Sequence, residues 1–256
     1  YRIIRKGEVR VNKGRIKPEY KLAEGDQVRI PPVRVAQRDT PIIPSQSFQD
    51  SLEASILYED DLLLVINKPS GLAVHGGSGI SLGLIEALRA TRSDKSYLEL
   101  VHRIDRDTSG CLVVAKKRSA LRFLQDEMRA RRILKVYYAL ASGRWPRGRR
   151  RIDAPLLASE QKSGEKIVRV DSEGKSSVTV FSVVQRFDNA TLMEATLETG
   201  RTHQIRVHAQ YVGCSLAGDV KYGSDDYNDD ARRLGLGRMF LHALKIQFFS
   251  PCGKKI

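Results

Sequence analysis

Val178–Val184 and Ala190–Leu197 alternate strongly between apolar and polar residues, and no other feature limits the fold as much. Successive side chains of a strand leave on opposite faces, so this alternation marks strands with one buried and one wet face. Antiparallel sheets allow that arrangement, whereas parallel sheets are covered on both sides. Further strands are predicted at Ile56–Tyr58 and Leu62–Asn67, with Glu59-Asp60-Asp61 as the turn between them, and at Cys111–Ala115, Lys135–Gly143 and Leu244–Phe249. Two stretches have helical spacing: Ser81–Leu88, through Leu82, Ile85 and Leu88, and residues 118–131, with Leu121, Leu124 and Met128 on one face and arginines opposite. Strands outnumber helices and do not alternate with them. The expected fold is therefore α+β, a large, mostly antiparallel mixed sheet with flanking helices rather than a doubly wound one. The longest apolar run, Leu62-Leu63-Leu64-Val65-Ile66, is strand-sized and far short of the roughly 18 residues of a membrane span, so no membrane partner is expected.

Residues 1–36 read as a small separate unit. Tyr1–Lys6 has helical composition stopped by Gly7, Glu8–Val11 can form a strand, Asn12-Lys13-Gly14 a turn, and Asp26–Ile30 a second strand closed by Pro31-Pro32. Residues 36–50 are rich in Pro, Ser, Gln and Asp without apolar periodicity. The expected division is a unit over 1–36, a linker over 37–54 and a larger domain over 55–256. Ser250-Pro251-Cys252-Gly253 looks like a hairpin turn whose return strand barely begins, so the chain is expected to be clipped at both ends.

Charge narrows the function. Of 256 residues, 44 are Lys or Arg against 30 Asp or Glu, a net charge of +14. The excess is concentrated: residues 1–38 carry +7 and residues 116–151 carry +11, while 39–115 carry −5. Concentrated blocks of this kind point to phosphate contacts, hence to a nucleic acid. Cys111, Cys214 and Cys252 are odd in number and far apart, which supports neither a disulfide framework nor a zinc site and suits a reducing cytoplasm.

The stretch Val101-His102-Arg103-Ile104-Asp105-Arg106-Asp107-Thr108-Ser109-Gly110 interleaves two carboxylates and two arginines between apolar flanks. Charges where core strands meet need a reason, and a carboxylate between arginines can serve as nucleophile or base rather than acid. Other features carry less. His203 and His208 lie about 140° apart round a helix, so a shared metal is not expected. A triad of His102, Asp105 and Ser109 lacks a nucleophile elbow. Gly76-Gly77-Ser78-Gly79 lacks the lysine of a phosphate loop and reads as a turn. Arg147-Gly148-Arg149-Arg150-Arg151, beside Trp145, fits backbone contact with RNA.

The 101–110 stretch resembles the His-Arg-Leu-Asp-x-x-Thr-Ser-Gly signature of the RluA family of pseudouridine synthases, with Ile104 in place of Leu. Tyr58-Glu59-Asp60 through Asn67-Lys68-Pro69-Ser70-Gly71 resembles that family's opening strand pair, Lys135-Val136-Tyr137-Tyr138-Ala139 its Lys-x-Tyr-x-Ala strand, and Gly200-Arg201-Thr202-His203-Gln204-Ile205-Arg206-Val207-His208 its third motif. Residues 1–36 resemble the second half of an S4-type RNA-binding domain.

The resemblance implies an enzyme that isomerises uridines to pseudouridine in large-subunit (23S) ribosomal RNA, without metal or cofactor, as a cytoplasmic monomer. Breaking the N1–C1′ bond develops positive charge on ribose, which one carboxylate can stabilise or trap, and the retained uracil needs no second acid. It assigns the catalytic role to Asp105, with Asp107 the alternative. Arg206 would pair with Asp105, Tyr137 would form a wall for uracil, and Arg103 would stand where the base leaves its stack or would bind phosphate. Whether Asp105 attacks a carbon or removes a proton stays open. A non-catalytic RNA-binding factor is the other reading, and a metal-dependent nuclease is disfavoured because no acidic cluster with a histidine partner appears.

Overall fold

The computed structural model describes residues 2–32, 44–76, 82–92, 97–148, 150–160 and 166–256. Two compact units divide the chain, Tyr1–Pro41 and Ile42–Ile256. In the first, helix α1 (Arg2–Arg5) precedes strands β1 (Arg10–Val11), β2 (Gly14–Arg15) and β3 (Val28–Arg29), in the sheet order β2-β1-β3. Asn12 and Lys13 both have positive φ, 48° and 67°, the left-handed pair that joins two strands by a two-residue turn. Asn12 also ties β3 down, accepting from the Gln27 N–H at 3.0 Å and donating to Asp26 at 2.7 Å. Strand β2 was not expected, because a two-residue strand has no period to read.

The second unit opens with α2 (Gln46–Ala54), which corrects the linker expected over 37–54 from Gln46 onward, residues 37–43 lying outside the described residues. Ser45 caps it by accepting from the Phe48 N–H, and Phe48 and Leu52, four apart, turn one face to the core. Polar composition hid that short apolar stripe. There follow β4 (Ile56–Glu59), β5 (Leu63–Lys68), α3 (Leu84–Thr91), β6 (Glu99–Leu100), β7 (Ser109–Ala115), α4 (Arg118–Arg129), β8 (Leu134–Ser142), β9 (Arg151–Asp153), β10 (Leu156–Glu160), β11 (Lys166–Val170), β12 (Val178–Arg186), β13 (Ala190–Leu197), α5 (Gln204–Tyr211), α6 (Asp225–Arg233) and β14 (Leu241–Gln247). The Gly76–Gly79 turn falls mostly outside the described residues, as does Arg149 of the arginine run.

One sheet organises this unit, in the order β4-β5-β7-β14-β8-β13-β12-β9, with β6 on the side of β7. Among the described residues its strands pair antiparallel except β14 with β7, which run parallel through His242–Ser109 and Ala243–Gly110. The fold is thus α+β on a mostly antiparallel sheet. The alternating stretches became β12 and β13, neighbours as their pattern requires. The apolar run became β5, whose Leu63, Leu64, Val65 and Ile66 are all buried: Leu64 and Ile66 lie in the main core, Leu63 and Val65 in a second core under α4 with Val113, Leu124 and Phe248. Hairpin β10–β11 stands apart and packs Leu156 and Val168 against Val207 and Tyr222.

The parallel seam needs a glycine. Gly110 has φ +107°, and a Cβ there would collide with the Ala243 backbone on β14. At this seam the 101–110 stretch enters the sheet, and β8 carries Tyr137 two strands from β7.

Candidate active site

Asp105 sits on the loop that leads into β7, and that loop is pinned from three sides. His102 accepts the Val113 N–H at its Nε2, 3.1 Å away, so its other nitrogen carries the proton. Burial first, and then the charge of Lys135, lower this imidazole to about 4 and keep it neutral. Val101 and Ile104 are buried on either side of it. Lys68, at the end of β5 and fully buried, donates to the carbonyls of Pro69, Leu72 and Arg106 at 2.7, 2.8 and 2.9 Å. Three carbonyls meet all three of its protons, and one of them belongs to the Asp105 loop. Burial lowers this ammonium to about 8, against the opposing pull of Asp107 and Asp105. Ser70 and Gly71 complete the join, donating to the carbonyls of Asp107 at 2.7 Å and Arg106 at 2.9 Å.

From the other side Arg206 arrives on α5. It is buried, 7% exposed, and its guanidinium is shared. Nη1 donates to Asp105 Oδ2 at 3.3 Å, while Nε and Nη2 fork onto Asp219 at 2.7 and 2.8 Å. Asp219 is itself buried and accepts the N–H groups of Lys221 and Tyr222 at 2.9 and 3.0 Å. The Tyr222 ring lies under the guanidinium, 4.9 Å from its carbon. Burial opposes the charge of Arg206, but Asp219 and then Asp105 outweigh it and hold the group above its ordinary pKa. Asn228 donates to the Asp219 carbonyl and accepts from the Gly218 N–H, which fixes the turn between α5 and α6.

Asp105, Tyr137, Arg103 and Arg206 line a single cleft of about 540 Å³. Tyr137 is buried, and burial followed by the charge of Asp105 pushes its phenol above the ordinary value, so it presents a neutral ring. Tyr138 lies on the opposite face of β8 and is less buried. Arg103 is exposed at the mouth. Asp107 is exposed and is not among the lining residues. Ser109 bonds His242 and Arg238 rather than His102, so the three residues of the disfavoured triad have separate partners. His203 meets the Tyr222 hydroxyl, whereas His208 is buried between Thr179 and the Ala154 carbonyl. Lys68, Asp219 and Tyr222 were missed by sequence reasoning. Lys68 left a signal: two residues after Ile66 it shares that residue's face of the strand, and a lysine on a buried face has to be paired or carbonyl-bound.

A carboxylate held by a guanidinium, opposite a flat neutral ring in a cationic cleft, suits attack on a nucleoside within a nucleic acid strand. Residues 62–211 match the family model for RNA pseudouridylate synthase, and residues 1–28 match the S4 domain. The chain belongs to the RNA pseudouridylate synthase family, and the matched span contains Arg103, Asp105, Tyr137 and Arg206.

Among curated relatives, ribosomal large subunit pseudouridine synthase C of Haemophilus influenzae is 58% identical over 252 residues, covering 98% of this chain and 78% of the relative. The protein of the same name from Escherichia coli is 55% identical over 254 residues, covering 98% and 80%. Among solved structures, human RNA pseudouridylate synthase domain containing 4 superposes with a TM-score of 0.66 at 27% identity, covering 82% of this chain and 89% of that one. Among the described residues no helix is long and apolar enough to cross a membrane.

Proposed function

We propose that this synthase converts specific uridines of large-subunit ribosomal RNA to pseudouridine, using Asp105 and neither metal nor cofactor, as a cytoplasmic monomer. The names of its relatives support the choice of RNA, and a net charge of +14 suits a polyanion. Three free cysteines agree with a reducing compartment.

In this reading Asp105 meets the ribose as the N1–C1′ bond opens. The electron pair of that bond leaves with uracil, and the carboxylate takes up the positive charge growing at C1′. Uracil, kept in the cleft against Tyr137, turns until C5 faces C1′. The C5–C1′ bond forms, C5 gives up its proton and N1, which left with the electron pair, takes one up, so the product is an isomer of the substrate. Arg206 orients the carboxylate, and Arg103 fills the gap left in the RNA stack by the displaced base. One observation carries the reading: the 3.3 Å contact of Arg206 with Asp105 inside the Tyr137 cleft.

The test is incubation with unmodified large-subunit ribosomal RNA transcript and site-resolved detection of pseudouridine. Asp105→Asn keeps shape and removes charge, so its rate should fall by more than about 10³-fold while RNA affinity stays within a few fold. A tenth of the original rate remaining in this variant would shift the role to another carboxylate.

A further inference from the structure

The cleft runs on past Asp105 and Tyr137 to the C-terminal end of α4, where Met128, Arg129 and Arg131 line it. Arg131 occupies an unusual backbone position. Its N–H donates to the Met128 carbonyl and the next N–H, of Arg132, to the Glu127 carbonyl, the paired bonds of a helix ended by a left-handed residue. Glycine is the usual occupant of such a position, because a Cβ strains it. Here φ is +58° and the residue is arginine. Its neighbours are neutralised, Arg129 by Asp126 and Arg132 by Glu127, whereas Arg131 makes no ion pair among the described residues.

Lys135 lies a few residues on, also facing the cleft. It stands two residues before Tyr137 on β8, hence on the same face and about 7 Å away. It is half-buried, and its ammonium has no hydrogen-bond or ion-pair partner among the described residues. Burial lowers its pKa with no carboxylate to offset the loss. The acids lining this cleft, Asp105 and Glu198, are engaged by Arg206 and Arg151. A desolvated cation without a counter-ion and an arginine held where glycine belongs both cost stability, and each presents its charge to the same space.

We propose that Lys135 and Arg131 form a phosphate-binding subsite at the α4 end of the cleft, taking the sugar–phosphate backbone of the RNA strand beside the target uridine. The inference rests on the proposed reading of the cleft as an RNA site and adds the direction in which the strand leaves it, from Tyr137 over Lys135 toward Arg131. Lys135 grips the nearer phosphate, within reach of a nucleotide seated at Tyr137. Arg131 takes one further out. Bound phosphate supplies the counter-charge that Lys135 lacks.

The test uses the whole chain, its Arg131→Gly, Arg131→Lys and Lys135→Met variants, and unmodified large-subunit ribosomal RNA transcript as probe. Melting temperatures of Arg131→Gly and Lys135→Met should equal or exceed that of the original protein, because each change relieves a local cost. Equilibrium binding should nonetheless weaken about ten-fold in each, and the slope of log affinity against log salt should shrink by about 0.7–0.9. Arg131→Lys keeps the charge and should bind within about two-fold of the original. In single-turnover assays half-saturation should rise far more than the limiting rate falls. Binding and salt slope unchanged in both charge-removing variants would overturn the proposal, as would a lower melting temperature with a proportional loss of rate, the mark of a structural role. Binding needs no turnover, so an absence of pseudouridine would sink the proposed function and leave this subsite separately decided.

Discussion

Three nitrogens of Arg206 are each engaged, two by Asp219 and one by Asp105. That division fixes which edge of the guanidinium meets Asp105, and an ammonium cannot reproduce it. Arg206→Lys should therefore lower the single-turnover rate by about 10²-fold with transcript affinity within a few fold. A near-normal rate would mean that Arg206 only grips phosphate. Asp219→Asn keeps an acceptor for the Lys221 and Tyr222 N–H groups but removes the ionic half of a buried pair, so it should cost about 3 kcal/mol in urea unfolding and about ten-fold in rate. Rate loss that survives at low temperature, where the variant is fully folded, separates orientation from stability. Asp105, Arg103, Tyr137 and Arg206 were legible in the sequence because each lies in a short motif with its own pattern. Asp219 was not: its partner comes from another element, and nothing local in Leu216-Ala217-Gly218-Asp219 says what a buried carboxylate will meet.

At the scale of elements, strands that carry a period were readable and short ones were not. β12, β13, β5 and β8 declared themselves through alternation or an apolar run, whereas β6 and β9 have two or three residues each and exist only because a neighbouring strand offers hydrogen bonds. The helix α2 escaped notice because its surroundings are polar, although Ser45, Phe48 and Leu52 encode its cap and its face. The join between the Asp105 loop and β7 has a pH signature. Folded His102 titrates near 4, an unfolded histidine near 6.5, so between these values the unfolded chain binds a proton the folded one refuses. Stability is thus highest above about pH 6.5 and is lost as pH falls toward 4, by up to about 3 kcal/mol from this residue. His102→Gln can still accept the Val113 N–H and has no such proton, so urea unfolding at pH 7 and pH 4.5 should show a smaller acid loss in the variant. Equal losses would show that carboxylates elsewhere govern the acid limb.

For the whole molecule, the proposed function divides grip and chemistry between the two compact units. Asp105, Tyr137 and Arg206, with Lys68 and Asp219 behind them, all belong to Ile42–Ile256, whose sheet and cores are built from its own residues. Residues 1–38 carry a net +7, and residues 1–28 match the S4 domain. A phosphate gripped by that unit would release counter-ions, and the cleft lining belongs to the other unit, so the grip should raise affinity and salt dependence without altering the chemical step. The fragment 42–256 should accordingly bind ribosomal RNA transcript less tightly. Its log–log salt slope should be lower by about 0.7–0.9 for each phosphate the missing unit would have held, and the eleven Lys and Arg removed with residues 1–41 set the upper limit on these. At saturating fragment the single-turnover rate should stay within a few fold of the intact chain. An unchanged slope would mean that the basic unit does not touch the RNA backbone. A rate that collapses at saturation would mean that it holds the uridine as well as the strand.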